Sequence, residues 1–406
     1  MTSSPAPAGG QISTFEMSAH TESEIAREAW PASPAHFRRF RDFTMAHPRL
    51  VGVKDQLIDA IEEAVPGSLI FVLGPAGVGK TTLLLKAQQL LTTQMLPCLE
   101  SDPGRLPFVS VEAIASATGN FNWRDHFSRL LWQMDEPLVD SKLSFDRFPA
   151  ERNCRGQYTS APRKAGMELQ HAVEQALRYR HPVAVFVDEA QHLARMSSGR
   201  KLSDQLDVIK SIANRTATIH VLIGTYELLA FCNLSGQLSR RSVHIHFARY
   251  SAENLQDVQI FKNVVLTFQN ELPLRVNFDL VGEWEFLYEG SVGCVGILKD
   301  WLMRAAIAAS RRGEGIMTRK HLERTALSVS QCEKILIEAR EGEARLSEGP
   351  ESHTRLRNLM GLGGTAEKAA PSCQGVPAGR SVRNWRPGQR HPKRDLVGQA
   401  AAIGVQ

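Results

Sequence analysis

The stretch Gly74-Pro75-Ala76-Gly77-Val78-Gly79-Lys80-Thr81 decides the fold. It has the spacing G-x-x-x-x-G-K-[ST], in which glycines let successive backbone N–H groups turn inward around an anion where a Cβ would obstruct them. Lys80 supplies a point charge to the β- and γ-phosphates of a nucleotide, and the Thr81 hydroxyl is placed to ligate Mg²⁺. The flanks agree. Residues 68–73 read as a buried parallel strand, and Thr81-Thr82-Leu83-Leu84-Leu85-Lys86-Ala87 opens a helix whose N-terminal dipole faces the anion. Gly74, Pro75, Ala76, Gly77, Val78, Gly79, Lys80, Thr81 and Thr82 are the expected nucleotide-binding residues.

Downstream, Val183-Ala184-Val185-Phe186-Val187-Asp188-Glu189-Ala190-Gln191-His192 is an apolar run that ends in paired carboxylates. A strand this apolar is covered on both faces, and its C-terminal end is where open α/β sheets place ligands. Asp188 fits a role in holding the water ligands of the metal. Glu189 fits the base that orients and polarises an attacking water. A third apolar run, Ile219-His220-Val221-Leu222-Ile223, ends in Gly224-Thr225-Tyr226. It is expected between the other two strands, with Thr225 either bonding the attacking water or γ-phosphate or capping the helix that begins at Tyr226, two roles that are compatible. In Leu238-Ser239-Arg240-Arg241 the arginines stand just before a last strand. There they either reach the nucleotide of a neighbouring subunit, a contact worth ~10³-fold or more in rate, or make a surface salt bridge.

The first helix is expected near His36, with Phe37, Phe40 and Phe43 docking it on the ATPase body in preference to stacking on bases. His47-Pro48-Arg49-Leu50-Val51-Gly52-Val53 leads into a second helix at 54–64, and Val51 and Gly52 are candidate adenine contacts. Residues 1–34 read as a flexible arm, 35–248 as the α/β core, and 135–163 as an insert without periodicity. Residues 249–346 read as a small helical lid and 347–406 as a basic tail without fixed structure.

The 406 residues carry a net charge of only +5. From Glu351 to Gln406 nine Lys and Arg stand against three acidic residues, a net +6, so the basic character belongs to the tail. Such a tail suits a nucleic-acid or acidic-protein partner, and equally a solvated tail that aids solubility. The six cysteines have no C-x-x-C spacing, which points to neither zinc nor a disulfide framework. No apolar run is long enough to span a bilayer, and the expectation is a soluble, cytoplasmic chain with no membrane partner.

Together these phrases resemble an AAA+ ATPase, an α/β fold with a central parallel sheet flanked by helices plus a C-terminal α-helical lid. His47-Pro48-Arg49-Leu50, the Gly74–Thr81 loop, Asp188-Glu189-Ala190-Gln191-His192, Leu222-Ile223-Gly224-Thr225-Tyr226 and Leu238-Ser239-Arg240-Arg241 look like the TniB/TnsC family of transposition regulators. The resemblance spans residues 36–330. It implies a bacterial protein that binds ATP and Mg²⁺, assembles as a ring or helical filament on duplex DNA, and links a target-selection protein to a transposase. Hydrolysis would control disassembly. It also implies Thr225 as the first sensor and Arg240 as the finger, with Arg241 its neighbour or substitute. Alternatives are an ExeA-like secretion ATPase and a nucleotide-switched signalling scaffold. One departure stands out: where many relatives place a lid arginine three residues after Gly293, this chain has Gly296, leaving Lys299 or Arg304 to reach in. Slow turnover follows. Arg124, Arg200 and Lys201 are basic candidates for contact with DNA phosphates.

Overall fold

The three apolar runs fold as three adjacent strands, because only a sheet covered on both sides hides every side chain of such a run. The computed structural model describes residues 34–115, 121–139, 151–152, 158–159, 162–194, 202–232, 242–347 and 350–362. In chain order, α1 (Pro34–Asp42) and α2 (Pro48–Glu63) lead into β1 (Leu69–Leu73) and α3 (Lys80–Ser101). There follow β2 (Phe108–Glu112), α4 (Trp123–Gln133), the short β3 (Glu151–Arg152) and β4 (Tyr158–Thr159), α5 (Pro162–Arg180), β5 (Ala184–Asp188) and α6 (Leu202–Thr216). Next are β6 (Ile219–Gly224), α7 (Leu229–Cys232) and β7 (Ser242–His246). Beyond the sheet come α8 (Leu255–Glu271), β8 (Arg275–Val276), α9 (Trp284–Ser291), α10 (Val295–Arg311), β9 (Ile316–Met317), α11 (Arg319–Thr325) and α12 (Val329–Leu346).

The five-stranded sheet has the order β2-β5-β6-β1-β7, and every pairing is parallel. All residues of β1, β5 and β6 are buried, whereas the edge strands β2 and β7 are partly open. Alternation along β1 feeds two cores. Phe71 and Leu73 join Leu130, Val173 and Ile209 of α4, α5 and α6, while Ile70 and Val72 join Leu57, Ile61 and Leu83 of α2 and α3.

A third core holds the helices after the sheet. Phe261, Val265 and Phe268 of α8 pack with Leu287 of α9 and Leu298, Trp301 and Leu302 of α10. The first helix belongs here rather than on the ATPase body, which corrects the sequence-based expectation. Phe40 of α1 is fully buried and meets Phe268 edge-on at 6.0 Å, with Phe43 at 6.4 Å. Lys299 Nζ clamps the end of α1 by donating to Arg41 O at 2.6 Å and Phe43 O at 2.7 Å. The reason is chemical: Phe and Leu faces are alike in a pattern, and a separate partner chosen by shape is invisible to it.

Several boundaries also move. The second helix starts at Pro48 rather than 54, since Pro is favoured at the first helical position and the His47 side chain accepts the Leu50 N–H as its cap. Within 135–163, β3 pairs antiparallel with β4, and α5 begins at Pro162, inside the expected insert. Residues 1–33 of the expected arm lie outside the described residues. Contacts divide the chain into residues 1–347 and 348–406. In the second unit α13 (Pro350–Leu359) forms within the stretch read as a tail, with Leu356 and Leu359 exposed, and 363–406 lie outside the described residues. Among the described residues no helix is long and apolar enough to cross a membrane.

Four of the described histidines in the larger unit are buried: His47, His126, His220 and His321. Burial holds His47, His126 and His220 at about 4, below the ordinary 6.5, and the Arg49 charge adds to the effect at His47. Between those two values the unfolded chain binds protons that the folded chain refuses, so stability is full above the upper value and declines as pH drops toward the lower. The urea midpoint is therefore expected to be lower at pH 5 than at pH 7. His126→Phe, which keeps a ring beside Phe121, Trp123 and Phe127, is expected to reduce that difference; an unchanged pH dependence would contradict the assignment.

Candidate nucleotide-binding site

The parallel pairing brings the ends of β5, β6 and β1 side by side, with Leu73 level with Gly224 and Val187 level with Leu222. The loop after β1 is tied to the end of β6 by the Gly74 N–H, which donates to Gly224 O at 3.3 Å. Gly77 and Gly79 have φ of 71° and 115°, the left-handed region in which a Cβ is strained. Gly79 precedes α3 without any side-chain cap, so the first N–H groups of that helix are left for an anion. Lys80 is buried, and its Nζ donates to Gly74 O at 3.1 Å and Pro75 O at 2.9 Å. Burial lowers its pKa, while Glu189 and then Asp188 push it back up. An ammonium desolvated this far is stabilised by an arriving phosphate.

Asp188 is held on both oxygens. Thr81 Oγ1 donates to Oδ2 at 3.1 Å and the Glu189 N–H donates to Oδ1 at 2.8 Å. Burial raises its pKa, and those two hydrogen bonds oppose the rise. Thr81 and Asp188 suit Mg²⁺, which keeps several waters and takes one or two protein oxygens beside the substrate phosphates. Among the described residues no group of three or more His, Cys, Asp or Glu forms a cage for a metal by itself.

Glu189 has φ of 51°, an unfavourable backbone for a residue with a Cβ and one that clusters at functional sites. Gln191 organises this carboxylate. Its Nε2 donates to Glu189 Oε2 and its Oε1 accepts the Thr225 N–H at 3.1 Å. A Cβ on Gly224 would lie 2.3 Å from that Oε1, so the glycine is what lets Gln191 approach. Gln191 was not singled out from the sequence; the signal was its place two residues after Glu189, in the 3₁₀ turn Ala190–Ala194. Thr225 stands at the start of the 3₁₀ turn Tyr226–Leu228, but its side chain makes no cap. Its buried Oγ1 has no hydrogen-bond partner among the described residues, a polar atom that a phosphate or water would satisfy.

The lid rests on the phosphate loop through glycine. A Cβ on Gly296 would lie 2.5 Å from Gly77 O, so no side chain, and no arginine, fits there. Ile297 covers the other side of Gly77. Neither substitute named from the sequence reaches in: Lys299 is bonded to α1, and Arg304 is exposed. Val51 and Gly52 lie inside α2 rather than before it, Val51 is 38% exposed, and a Cβ on Gly52 would meet open space. Arg240 and Arg241 fall outside the described residues; the strand they precede starts at Ser242, level with Leu69 and so at the opposite end of the sheet from the loop. Arg124 is exposed, while Arg200 and Lys201 lie outside the described residues.

Residues 65–231 match a family model described as an AAA domain. The fold is the AAA+ P-loop fold. The matched stretch of this AAA+ fold runs from the turn before β1 to α7 and leaves out β7 and the lid. No curated protein matches the sequence. Similar solved structures include the ORC2 protein of Aeropyrum pernix in ADPNP–ADP complexes, 12% identical over 80% of this chain and 90% of that one, TM-score 0.46. The ORC1 protein of Aeropyrum pernix in complex with DNA is 16% identical, over 82% and 76%, TM-score 0.44. A Walker-type ATPase of Pyrococcus abyssi is 17% identical, over 77% and 83%, TM-score 0.39.

The Gly296–Gly77 contact makes a direct prediction. Gly296→Ala is expected to push the lid off the phosphate loop, lowering Tm by a few degrees, roughly what 1 kcal/mol does to a domain of this size, and speeding release of a fluorescent nucleotide. An unaltered release rate would show that the contact does not retain nucleotide.

Proposed function

We propose that the chain is an ATP-hydrolysing AAA+ regulator of transposition that oligomerises on duplex DNA and passes a target-site signal to a transposase. The observation that carries the ATPase reading is the convergence of Lys80, the Thr81–Asp188 pair, Glu189 and the unpartnered Thr225 hydroxyl at the ends of three adjacent strands. The loop and the start of α3 hold the β- and γ-phosphates, and Lys80 turns from its own loop carbonyls to the anion. Mg²⁺, held by Thr81 and through water by Asp188, would offset the charge that develops on the phosphates. Glu189, oriented by Gln191, accepts a hydrogen bond and then the proton from a water whose oxygen attacks the γ-phosphorus. The bond to the leaving ADP oxygen then breaks, and Thr225 donates to the group being transferred.

Arg240 and Arg241 complete the site of a neighbouring subunit in this proposal, because the strand they precede begins far from their own loop. Val51 and Gly52, on the exposed part of α2, border the adenine. The transposition reading is supported by the sequence phrases it shares with TniB/TnsC regulators and by the basic residues after Glu351, which suit phosphate contacts that are sequence-tolerant and salt-sensitive.

Lys80→Ala is expected to lose ATP binding and assembly, whereas Glu189→Gln is expected to bind ATP, assemble on duplex DNA and stay assembled, with turnover reduced by roughly 10²-fold or more. Negative-stain microscopy with DNA and a non-hydrolysable analogue, alongside phosphate release, reads both. Nucleotide-independent DNA association, or normal turnover by Glu189→Gln, sinks the corresponding half of the proposal.

A further inference from the structure

We infer that Arg345 of α12 contacts the γ-phosphate end of the nucleotide in cis and is the group by which this chain tells ATP from ADP. The inference rests on the nucleotide-binding reading of the site. Its first observation is a cleft of about 360 Å³ lined on one side by Pro75, Ala76, Gln191 and Thr225 and on the other by α12. Arg345 is the one cation among the described residues lining it. The floor therefore joins the first turn of the phosphate loop to the unpartnered Thr225 hydroxyl, and Arg345 stands across from both.

The second observation is that α12 is fixed there. Although it is the last helix of the stretch read as the lid, its C-terminal half packs on the ATPase core: Ala339 is fully buried in the same core as Tyr226 and Leu228, and a Cβ on Gly342 would lie 2.1 Å from the Tyr226 ring. Glu343 pairs with the buried Arg249 at 3.1 Å, and Arg340 pairs with Glu253 at 2.9 Å. Tyr226 is held in turn, its Oη lying 2.8 Å from His246 Nε2. Arg345, one turn beyond these pins, is exposed and makes no salt bridge among the described residues.

The third is elimination among the other cations near the loop. Gly296 has no room for a side chain, Lys299 is consumed by the Arg41 and Phe43 carbonyls, and Arg249 is consumed by Glu343 and Tyr288. Glu338 and Glu341 line the same cleft. With Glu227 they make it acidic, so without the guanidinium a γ-phosphate held by Lys80 would meet three carboxylates on this side, and the penalty would fall on ATP and spare ADP. The last-turn position of Arg345 also complements the helix dipole, a role that would be indifferent to the nucleotide.

The test compares full-length wild type, Arg345→Ala and Arg345→Lys by calorimetric titration with ADP and with a non-hydrolysable ATP analogue, each with Mg²⁺. Loss of one charge-assisted contact predicts analogue affinity down roughly tenfold or more with ADP affinity within about twofold, and Arg345→Lys recovering part of the loss. Equal losses for both nucleotides, or none for either, overturn the inference. Wild type that binds neither nucleotide refutes the nucleotide reading itself, a result distinct from both. Because Arg345→Ala can loosen α12, Glu341→Gln supplies an independent arm. It is expected to raise analogue affinity and leave ADP unchanged, and an unchanged or lowered analogue affinity counts against the inference.

Discussion

The parallel insertion of β6 between β1 and β5 is the constraint on which the rest depends. With β6 in that place, Gly74 bonds to Gly224, and Gln191 spans from Glu189 to the Thr225 amide. Were β6 on the outside of the sheet, the carboxylate strand would adjoin the phosphate strand directly and Thr225 would have no access to either. The insertion is stabilised by burial, since all six residues of β6 are hidden between two cores. Its cost is close backbone approach, met by glycine at 224 and by a left-handed Glu189.

Around this centre, polar groups are desolvated in compensating pairs. Lys80 is buried against its own loop carbonyls with Glu189 and Asp188 nearby, and Asp188 is buried against a hydroxyl and an amide. Such a network is satisfied within the chain, by carbonyls for the ammonium and by a hydroxyl and an amide for the carboxylate. A second network joins core to lid. His47 lies 2.9 Å from the Tyr250 hydroxyl, Arg49 donates to Arg249 O at 2.6 Å and pairs with Asp257, and its guanidinium covers the Tyr250 ring. The phrase His47-Pro48-Arg49-Leu50 is thus a joint between α2 and the chain leaving the sheet. The lid also touches the phosphate loop itself, at Gly296 and Ile297.

Much of the candidate site was legible in the sequence because its residues are close together in the chain. A phosphate loop is eight consecutive residues, and a carboxylate pair at the end of an apolar run announces both the strand and its reactive end. The place of Arg345 in the cleft was not legible, because it comes from a helix that returns to the core more than a hundred residues after Thr225. The docking of Phe40 on the lid, and the use of Lys299 to hold α1, were hidden for the same reason. Side-chain pattern reports that a face is apolar or charged but not which distant face it meets.

By itself, then, the sequence determined the three strands, the phosphate loop and the carboxylates, since hydrophobic period, glycine spacing and residue chemistry are read over a few positions. Only the tertiary structure decided that Gln191 joins Glu189 to the Thr225 amide, that Gly296 leaves no room for a side chain, and that α12 lines the cleft. Those outcomes turn on ångström-scale contacts between segments far apart in the chain, set by packing that no local pattern encodes.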